Sequence, residues 1–240
     1  MEINYMKKFQ DDALDLNSSL NVSGRFSFQK EAMKNIVPDI VGKLQLKSSD
    51  TLLDIGCNCG DITIPLSFMC QKVVGVDGEG CVRRLNNRII DIDNISTLIG
   101  DFREIEITEK FDCILMYSVL MYINSYKSIL DMVLKAASLL KDNGRMLLGD
   151  IVNDDKKRRF AGSRIGHMID QEYRENMKHL TEEDEVSHSG YAASSFRMND
   201  ELVMKLVQDV REEGYETYLL PQSNKLPFGY SREDILVCKW

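Results

Sequence analysis

Residues 52–61, Leu-Leu-Asp-Ile-Gly-Cys-Asn-Cys-Gly-Asp, place a carboxylate, two glycines and an asparagine within one short stretch. An apolar run ends in Asp54, a glycine-bearing loop follows, and an amphipathic segment opens near Asp61. That order reads as a buried parallel strand turning sharply into a helix. Glycine permits the turn and leaves room for a ligand where a Cβ would stand, and a helix start offers unpaired N–H donors. Two more carboxylates, Asp77 and Asp101, end apolar runs in the same way. In an open α/β sheet, ligands bind outside the carboxyl ends of the strands, so all three acids are expected to line one crevice. Asp77, 21 residues after Gly56, suits the two hydroxyls of a ribose. Asp101 suits an exocyclic base amine, with the Phe102 ring beside the base. The chemistry expected is the binding of a nucleoside-type cofactor.

Rival ligands fit less well. A dinucleotide fingerprint needs glycines in a G-x-G-x-x-G frame, but counting from Gly56 the other two positions are Asn58 and Asp61. Asp54 and Asp61 would also oppose a pyrophosphate. No Gly-Lys-Ser/Thr follows a glycine loop, which excludes a P-loop. Cys57 and Cys59 are too close for a common zinc spacing and have no second pair, so no metal is expected.

The surrounding chain supplies the elements that must position these residues. Met33, Ile36, Val37, Ile40, Val41 and Leu44 repeat at helical spacing, with Pro38 expected to kink the helix. Strands are predicted at Thr51–Ile55, Lys72–Val76, Ser96–Ile99, Phe111–Met116 and Arg145–Ile151, with amphipathic helices between them. Such alternation specifies a doubly wound parallel sheet. Residues 152–197 break it with a long polar stretch containing Lys156-Lys157-Arg158-Arg159 and one helix, marked by Ile169, Tyr173, Met177 and Leu180. Asn199 then caps a helix through Val203, Leu206, Val207 and Val210. Tyr215–Leu220 and Asp234–Trp240 close the chain as an antiparallel edge pair. The organisation expected is one domain over 1–240, with an N-terminal arm at 1–27 and a lid insertion at 152–197.

At 240 residues the chain should bury roughly 70–75% of its unfolded surface, enough for one substantial core. Thirty basic against 38 acidic side chains give a formal charge of -8, which argues against broad nucleic-acid binding. The first twenty residues hold no apolar block of the kind a signal peptide needs. No apolar stretch approaches the roughly 20 residues that span a bilayer. The six cysteines fall mostly inside apolar patterns, as expected of buried thiols in a reducing cytoplasm. A cytoplasmic protein without a membrane partner is expected.

Asp54-x-Gly56-x-Asn58-x-Gly60, Asp77 after an apolar strand, Gly100-Asp101-Phe102 and Phe111–Met116 together resemble the successive motifs of class I S-adenosylmethionine-dependent methyltransferases. The resemblance runs from about residue 28 to residue 240, apart from 152–197. It departs at Asn58, where glycine is commoner, although asparagine tolerates a left-handed backbone. It implies a Rossmann-like, mostly parallel seven-stranded sheet with an antiparallel last strand, and S-adenosyl-L-methionine as cofactor. It further implies that Gly56, Cys57, Asn58 and Gly60 pass beneath the methionine moiety, and that Asp54 orients the loop or meets the amino group. Asp77 and Gly78 would then hold the ribose, Asp101 and Phe102 the adenine, and the Met116–Tyr117 backbone would lie near the sulfonium. Arg25 would pair with the cofactor carboxylate.

The methyl acceptor is expected to be a small molecule, with a sugar or nucleotide-sugar ahead of other acceptors, methylated on oxygen or nitrogen. A hydroxyl acceptor generally needs a base. His167, His179 and His188 all fall in the insertion, and His188 is the first candidate, with Asp150, Tyr117 and Tyr122 as rivals at strand ends. The basic run 156–159 is either a solvated stretch or a clamp for a phosphate on the substrate. The alternatives are a protein or RNA methyltransferase that docks its substrate on 152–197, an NAD-dependent oxidoreductase, and a non-catalytic cofactor-binding module.

Overall fold

The apolar runs assemble into a single seven-stranded sheet in the computed structural model, which describes residues 5–189 and 196–240. The strands are β1 (Thr51–Ile55), β2 (Lys72–Asp77), β3 (Ile95–Ile99), β4 (Phe111–Tyr117), β5 (Leu140–Val152), β6 (Glu216–Pro221) and β7 (Arg232–Cys238). Their order is β3-β2-β1-β4-β5-β7-β6. Neighbours among the first five pair in parallel, while β7 runs antiparallel between β5 and β6. This is a doubly wound α/β sheet with a reversed last strand. The chain travels outward from β1 to β3, then returns to lay β4 on the other flank of β1, with Leu53 opposite Ile114 and Ile55 opposite Met116. A reversal of this kind opens a crevice at the carboxyl ends of the strands on either side of it.

Alternation along each strand sends side chains to two separate cores. Leu52, Val73, Cys113, Leu115 and Leu147 pack against Ile36, Ile40 and Leu44 of α4 (Ile36–Leu44), Leu66 of α5 (Thr63–Ser67) and Leu85 of α6 (Glu79–Arg88). On the other face Leu53, Ile55, Ile114, Met116 and Leu148 meet Ile129 and Val133 of α7 (Tyr126–Ser138) and Leu206 and Val210 of α11 (Asp200–Glu212). Both faces of the parallel strands are thus covered, which is why they read as unbroken apolar runs. All six cysteines are buried thiols.

Three local expectations change. Pro38 does not bend a helix. The chain forms α3 (Lys30–Met33), breaks, and restarts at Ile36, so Pro38 falls in the first turn of α4, where a missing N–H costs nothing. The arm at 1–27 is largely helical, with α1 (Tyr5–Asp15) and α2 (Ser19–Val22) preceding a 3-10 turn at Ser27–Gln29. The insertion holds three helices, not one: α8 (Asp154–Ala161), α9 (Arg164–Asn176) and α10 (Glu182–Ser189).

The basic run lies on α8, whose start is capped by the Asn153 side chain accepting from the Asp155 and Lys156 N–H groups. Lys156 donates to the Arg232 carbonyl at 2.6 Å, Arg158 pairs with Asp155 at 2.8 Å, and Arg159 pairs with Asp200. Three of its four charges are therefore used inside the fold. No helix among the described residues is long and apolar enough to cross a membrane.

Candidate active site

The turn after β1 is built from left-handed residues. Gly56 has φ +83°, Asn58 φ +47° and Gly60 φ +90°. A Cβ on Gly56 would also stand 2.5 Å from Val119 Cγ2, so glycine is needed there twice over. Asp77, at the end of β2, fixes this loop from the side. Its carboxylate accepts from the Asn58 N–H at 2.8 Å and from the Gly78 N–H at 2.6 Å. Burial raises its pKa and the two N–H donors oppose the rise. Asp54 lies deeper and accepts from Thr63 Oγ1 at 2.6 Å, which ties β1 to the start of α5. Burial pushes its carboxyl up to about 7, against the Thr63 hydrogen bond and with a further contribution from Asp77.

Asp101 follows β3. Both its oxygens accept from Arg103 Nε, at 3.0 and 3.1 Å, and the Arg103 backbone N–H adds a bond at 2.9 Å. Burial works against the charge, but these bonds hold the carboxyl below its ordinary range. A base amine would share Asp101 with Arg103. Phe102 borders the same space, yet most of its ring is in the core, with Lys135 Nζ 5.1 Å from its centroid.

The N-terminal arm roofs the crevice. α1 lies on α6 so closely that a Cβ on Gly80 would sit 2.6 Å from the Gln10 carbonyl oxygen. Arg84 of α6 donates to the carbonyls of Ala13, Leu16 and Asn17, satisfying the end of α1. Phe9 meets Tyr122 edge-on, with centroids 5.1 Å apart. None of the described residues of the insertion lines the crevice; they grip the arm. Asp184 of α10 is fully buried and accepts from Asn21 Nδ2 (2.7 Å), the Ser27 N–H (2.9 Å) and Ser27 Oγ (2.7 Å). Burial opposes that charge, but the Ser27 and Thr181 hydrogen bonds outweigh it and bring the carboxyl down to about 2.

At the far end, Arg25 is buried. It donates to Asp150 Oδ2 and to Ser118 Oγ, each at 2.7 Å, and Ser118 Oγ donates to the same Asp150 oxygen at 2.6 Å. Ser118 and Asp150, at the ends of β4 and β5, have φ of +60° and +61°. Non-glycine residues in that region cost on the order of 1–3 kcal/mol and cluster where a site over-determines them. Burial alone would raise the Asp150 pKa, but Arg25 and Arg232 outweigh it and keep the carboxylate ionised. Burial, with Asp150 nearby, raises the Tyr117 phenol well above its ordinary value. His167 and His179 are exposed, and the side chain of His188 lies outside the described residues.

These walls enclose a cavity of about 940 Å³. Of the residues expected from sequence, Arg25, Asp54, Gly56, Cys57, Asn58, Asp77, Asp101, Phe102, Tyr117 and Tyr122 line it. Gly60, Gly78, Met116 and Asp150 are not among its lining residues. Gly60 sits over Leu85, Gly78 under the Gln10 side chain, and the Met116 side chain in the core. Lys7, Phe9, Gln10, Asp11 and Ser23 of the arm, with Ser118 and Arg103, are additions that the sequence reading missed. The repeat of Phe9, Ala13 and Leu16, facing a helix that carries Gly78 and Gly80, was the available signal.

The model of the family described as Nodulation protein S (NodS) matches residues 10–182. Nodulation protein S of Sinorhizobium fredii (strain NBRC 101917 / NGR234) is 25% identical over 107 residues, 44% of this chain and 50% of that protein. An uncharacterized methyltransferase of Schizosaccharomyces pombe (strain 972 / ATCC 24843), C70.08c, is 32% identical over 127 residues, 50% of this chain and 48% of that one. The chain spans half or less of the length of these curated relatives. Among solved structures, N-methyltransferase NodS of Bradyrhizobium japonicum WM9 in complex with S-adenosyl-L-homocysteine has a TM-score of 0.60 at 16% identity, covering 98% of this chain and 97% of that one. Phosphoethanolamine N-methyltransferase 1 of Haemonchus contortus, in complex with phosphoethanolamine and S-adenosylhomocysteine, has a TM-score of 0.65 at 18% identity, covering 98% and 48%. At such identities these two share the fold.

If the arm completes the cavity, separating α1 from α6 should weaken binding without unfolding the sheet. Gly80→Val places a branched side chain against the Gln10 backbone and should lower S-adenosylhomocysteine affinity by at least about tenfold in calorimetry. Gly42→Ala, in α4 with nothing within 4 Å of the added Cβ, should leave affinity unchanged. Equal affinities in the two variants would show that the arm is not part of the site.

Proposed function

The chain belongs to the Nodulation protein S family of S-adenosylmethionine-dependent methyltransferases, and from that premise we propose that it methylates the amine nitrogen of a small polar molecule, an amino sugar or amino-sugar conjugate foremost. The observation that carries the choice of nitrogen is that the strand-end groups and described histidines that could serve as bases are not poised to do so. Asp54, the cavity acid whose carboxyl is raised to about 7, is engaged by Thr63 and set aside for the cofactor ammonium. Asp150 is held between two arginines, the Tyr117 phenol stays protonated, and His167 and His179 lie on the outer surface. A hydroxyl acceptor would need one of them to take its proton. An unprotonated amine brings its own lone pair and loses a proton only after the bond has formed. Two of the structures that share the fold are N-methyltransferases by description.

The residues fit the cofactor. Strand-end carboxylates, a glycine without room for a Cβ and a buried arginine all line one cavity. Asp77 would hold the ribose hydroxyls and Asp101 the adenine amine, while Asn58 and Gly56 keep the loop low beneath the methionine moiety. Arg25 would take the carboxylate and Asp54 the ammonium. When bound, the cofactor supplies an electrophilic methyl group on a positively charged sulfur. The protein's contribution is to place an acceptor nitrogen in line with it, since proximity and orientation are the main levers in such a displacement. Tyr117, Ser118, Tyr122 and Asn124 border that end of the cavity and offer rings and polar tips to a hydroxylated acceptor. The arm, pinned by Asp184, covers part of the cavity.

Asp54 makes one part of this measurable. Its carboxyl carries a proton below about pH 7 in the free protein, and an ammonium beside it favours the ionised form. Binding of S-adenosylhomocysteine should therefore release protons at about pH 6, and the release should vanish above roughly pH 8. Calorimetry in buffers of different ionisation enthalpy reads this directly. No proton release at either pH would remove Asp54 from the ammonium site.

The acceptor class is tested with labelled S-adenosylmethionine and paired compounds, each amino sugar or amino alcohol beside its hydroxyl-only counterpart. Only the amines should gain a methyl group, identified on nitrogen by mass spectrometry. Their kcat/KM should rise about tenfold per pH unit until the ammonium is titrated. Equal methylation of the hydroxyl compounds would overturn the assignment.

A further inference from the structure

Arg232 opens β7 opposite Val152 of β5, so the register of the reversed strand brings it next to Asp150. Its side chain is only 16% exposed, and its nearest carboxylate, Asp150 Oδ1, is 3.8 Å from Nε, beyond hydrogen-bond range. Asp150 meanwhile gives its other oxygen to Arg25 and Ser118. Nη1 of Arg232 is buried without a hydrogen-bond partner among the described residues. The adjacent acids do not help. Glu233 is held by Asn153 and Lys156, and Asp234 by Lys43, Gln222 and the Asp150 N–H. A guanidinium has five donors; Asp150 balances the charge of this one, but its buried Nη1 is left without a hydrogen bond, at a desolvation cost.

Arg232 and Phe228 are not among the residues lining the cavity, but they stand directly behind Arg25, which is. The Arg232 guanidinium carbon lies 5.1 Å from the Phe228 ring centroid, and that of Arg25 lies 5.3 Å from the same ring, so the two arginines flank one phenylalanine. Phe228 is half-buried and belongs to the loop between β6 and β7, next to Pro227 and Gly229. Arg25 and Ser118 line the cavity at its acceptor end. The basic run on α8, where the sequence pointed for a phosphate clamp, has three of its four charges paired. Arg232, whose Nη1 lacks a hydrogen bond among the described residues, stands on β7, 73 residues after Arg159.

We propose that Arg232, backed by Phe228 and beside Arg25, binds an anionic group of the methyl acceptor, a phosphate or a carboxylate, and thereby selects an acceptor carrying both an amine and an anion. The inference rests on the N-methylation reading for the word acceptor, but the anion site stands on its own geometry. A guanidinium fork matches either anion with two parallel hydrogen bonds, and a small turn of the Phe228 ring would admit it. Arg25 remains with the cofactor carboxylate. The acceptor's anion would then lie one side chain beyond it, anchoring the molecule by one end while its amine reaches the methyl group.

The test uses the full chain saturated with S-adenosylhomocysteine, so that the cofactor's own carboxylate site is filled. Inorganic phosphate and acetate are titrated separately while the Arg232 Nε–H resonance is followed. Saturable binding of phosphate supports a phosphate-bearing acceptor, and saturable binding of acetate a carboxylate-bearing one. Arg232→Met should weaken that binding by at least about tenfold, read on the backbone resonances of Ser118 and Phe228, with S-adenosylhomocysteine affinity unchanged. Arg232→Lys, which keeps the charge without the fork, should fall between them. Saturation by neither anion, or equal binding in Arg232→Met, would overturn the site. Should the methionine variant fail to fold, the wild-type resonance decides alone. Methyl transfer to glucosamine and to glucosamine 6-phosphate separates the two readings. Preference for the phosphate that Arg232→Lys reduces supports the anion site, and equal use of both amines overturns it. Methylation of oxygen in both would overturn the N-methylation reading alone.

Discussion

The Asp77 carboxylate is the constraint on which the rest of this site depends. It sits at the tip of β2 and accepts hydrogen bonds from two backbone N–H groups, one in the loop after β1 and one at the start of α6. Bonds to a charged acceptor contribute about 1.5–3 kcal/mol each, enough to hold a loop whose Gly56, Asn58 and Gly60 occupy left-handed backbone. The same carboxylate thus shapes the floor of the cavity and is the group we propose for the ribose hydroxyls. Neighbouring strands supply Asp54 and Asp101 at the same edge because the sheet is parallel and reverses direction beside β1. The topology brings the acids together, and the backbone donors keep them pointed.

Above that floor the roof is built in two tiers. The arm supplies lining residues, and the insertion supplies the grip. Asp184 reaches from α10 to Asn21 and Ser27, while Glu183 of the same helix accepts from the Ser18 N–H. A substrate that contacts the insertion would therefore act on the cofactor cavity through the arm. Arg25 ties the arm to the sheet. It leaves the arm, lines the cavity and locks onto Asp150 at the end of β5.

The strands and their acidic tips were legible in the sequence because each inner strand is buried on both faces and reads as an apolar run. The reversed strand pair was legible because no helix separates its members. Asn58 at φ +47° is where an asparagine can stand for a glycine. The arm was not legible as a roof. Its helix carries charged residues at five of eleven positions, and its fit depends on Gly78 and Gly80 some 70 residues away in the chain. The basic run read as either a solvated stretch or a clamp because two of its partners, Asp200 and the Arg232 carbonyl, are remote in sequence. Asp150 looked like a base for a similar reason. Its strand-end position is plain from the sequence, but the two arginines that hold its charge come from the opposite ends of the chain.

We propose that a wall of strand-end carboxylates, with Asp77 at its centre, is what binds S-adenosylmethionine in this fold. Calorimetric titration of S-adenosylhomocysteine into wild type and Asp77→Ala measures that claim most directly. The account requires an affinity loss of roughly one to two orders of magnitude in a variant that keeps its sheet, as judged by far-ultraviolet circular dichroism. An affinity equal to wild type would contradict it.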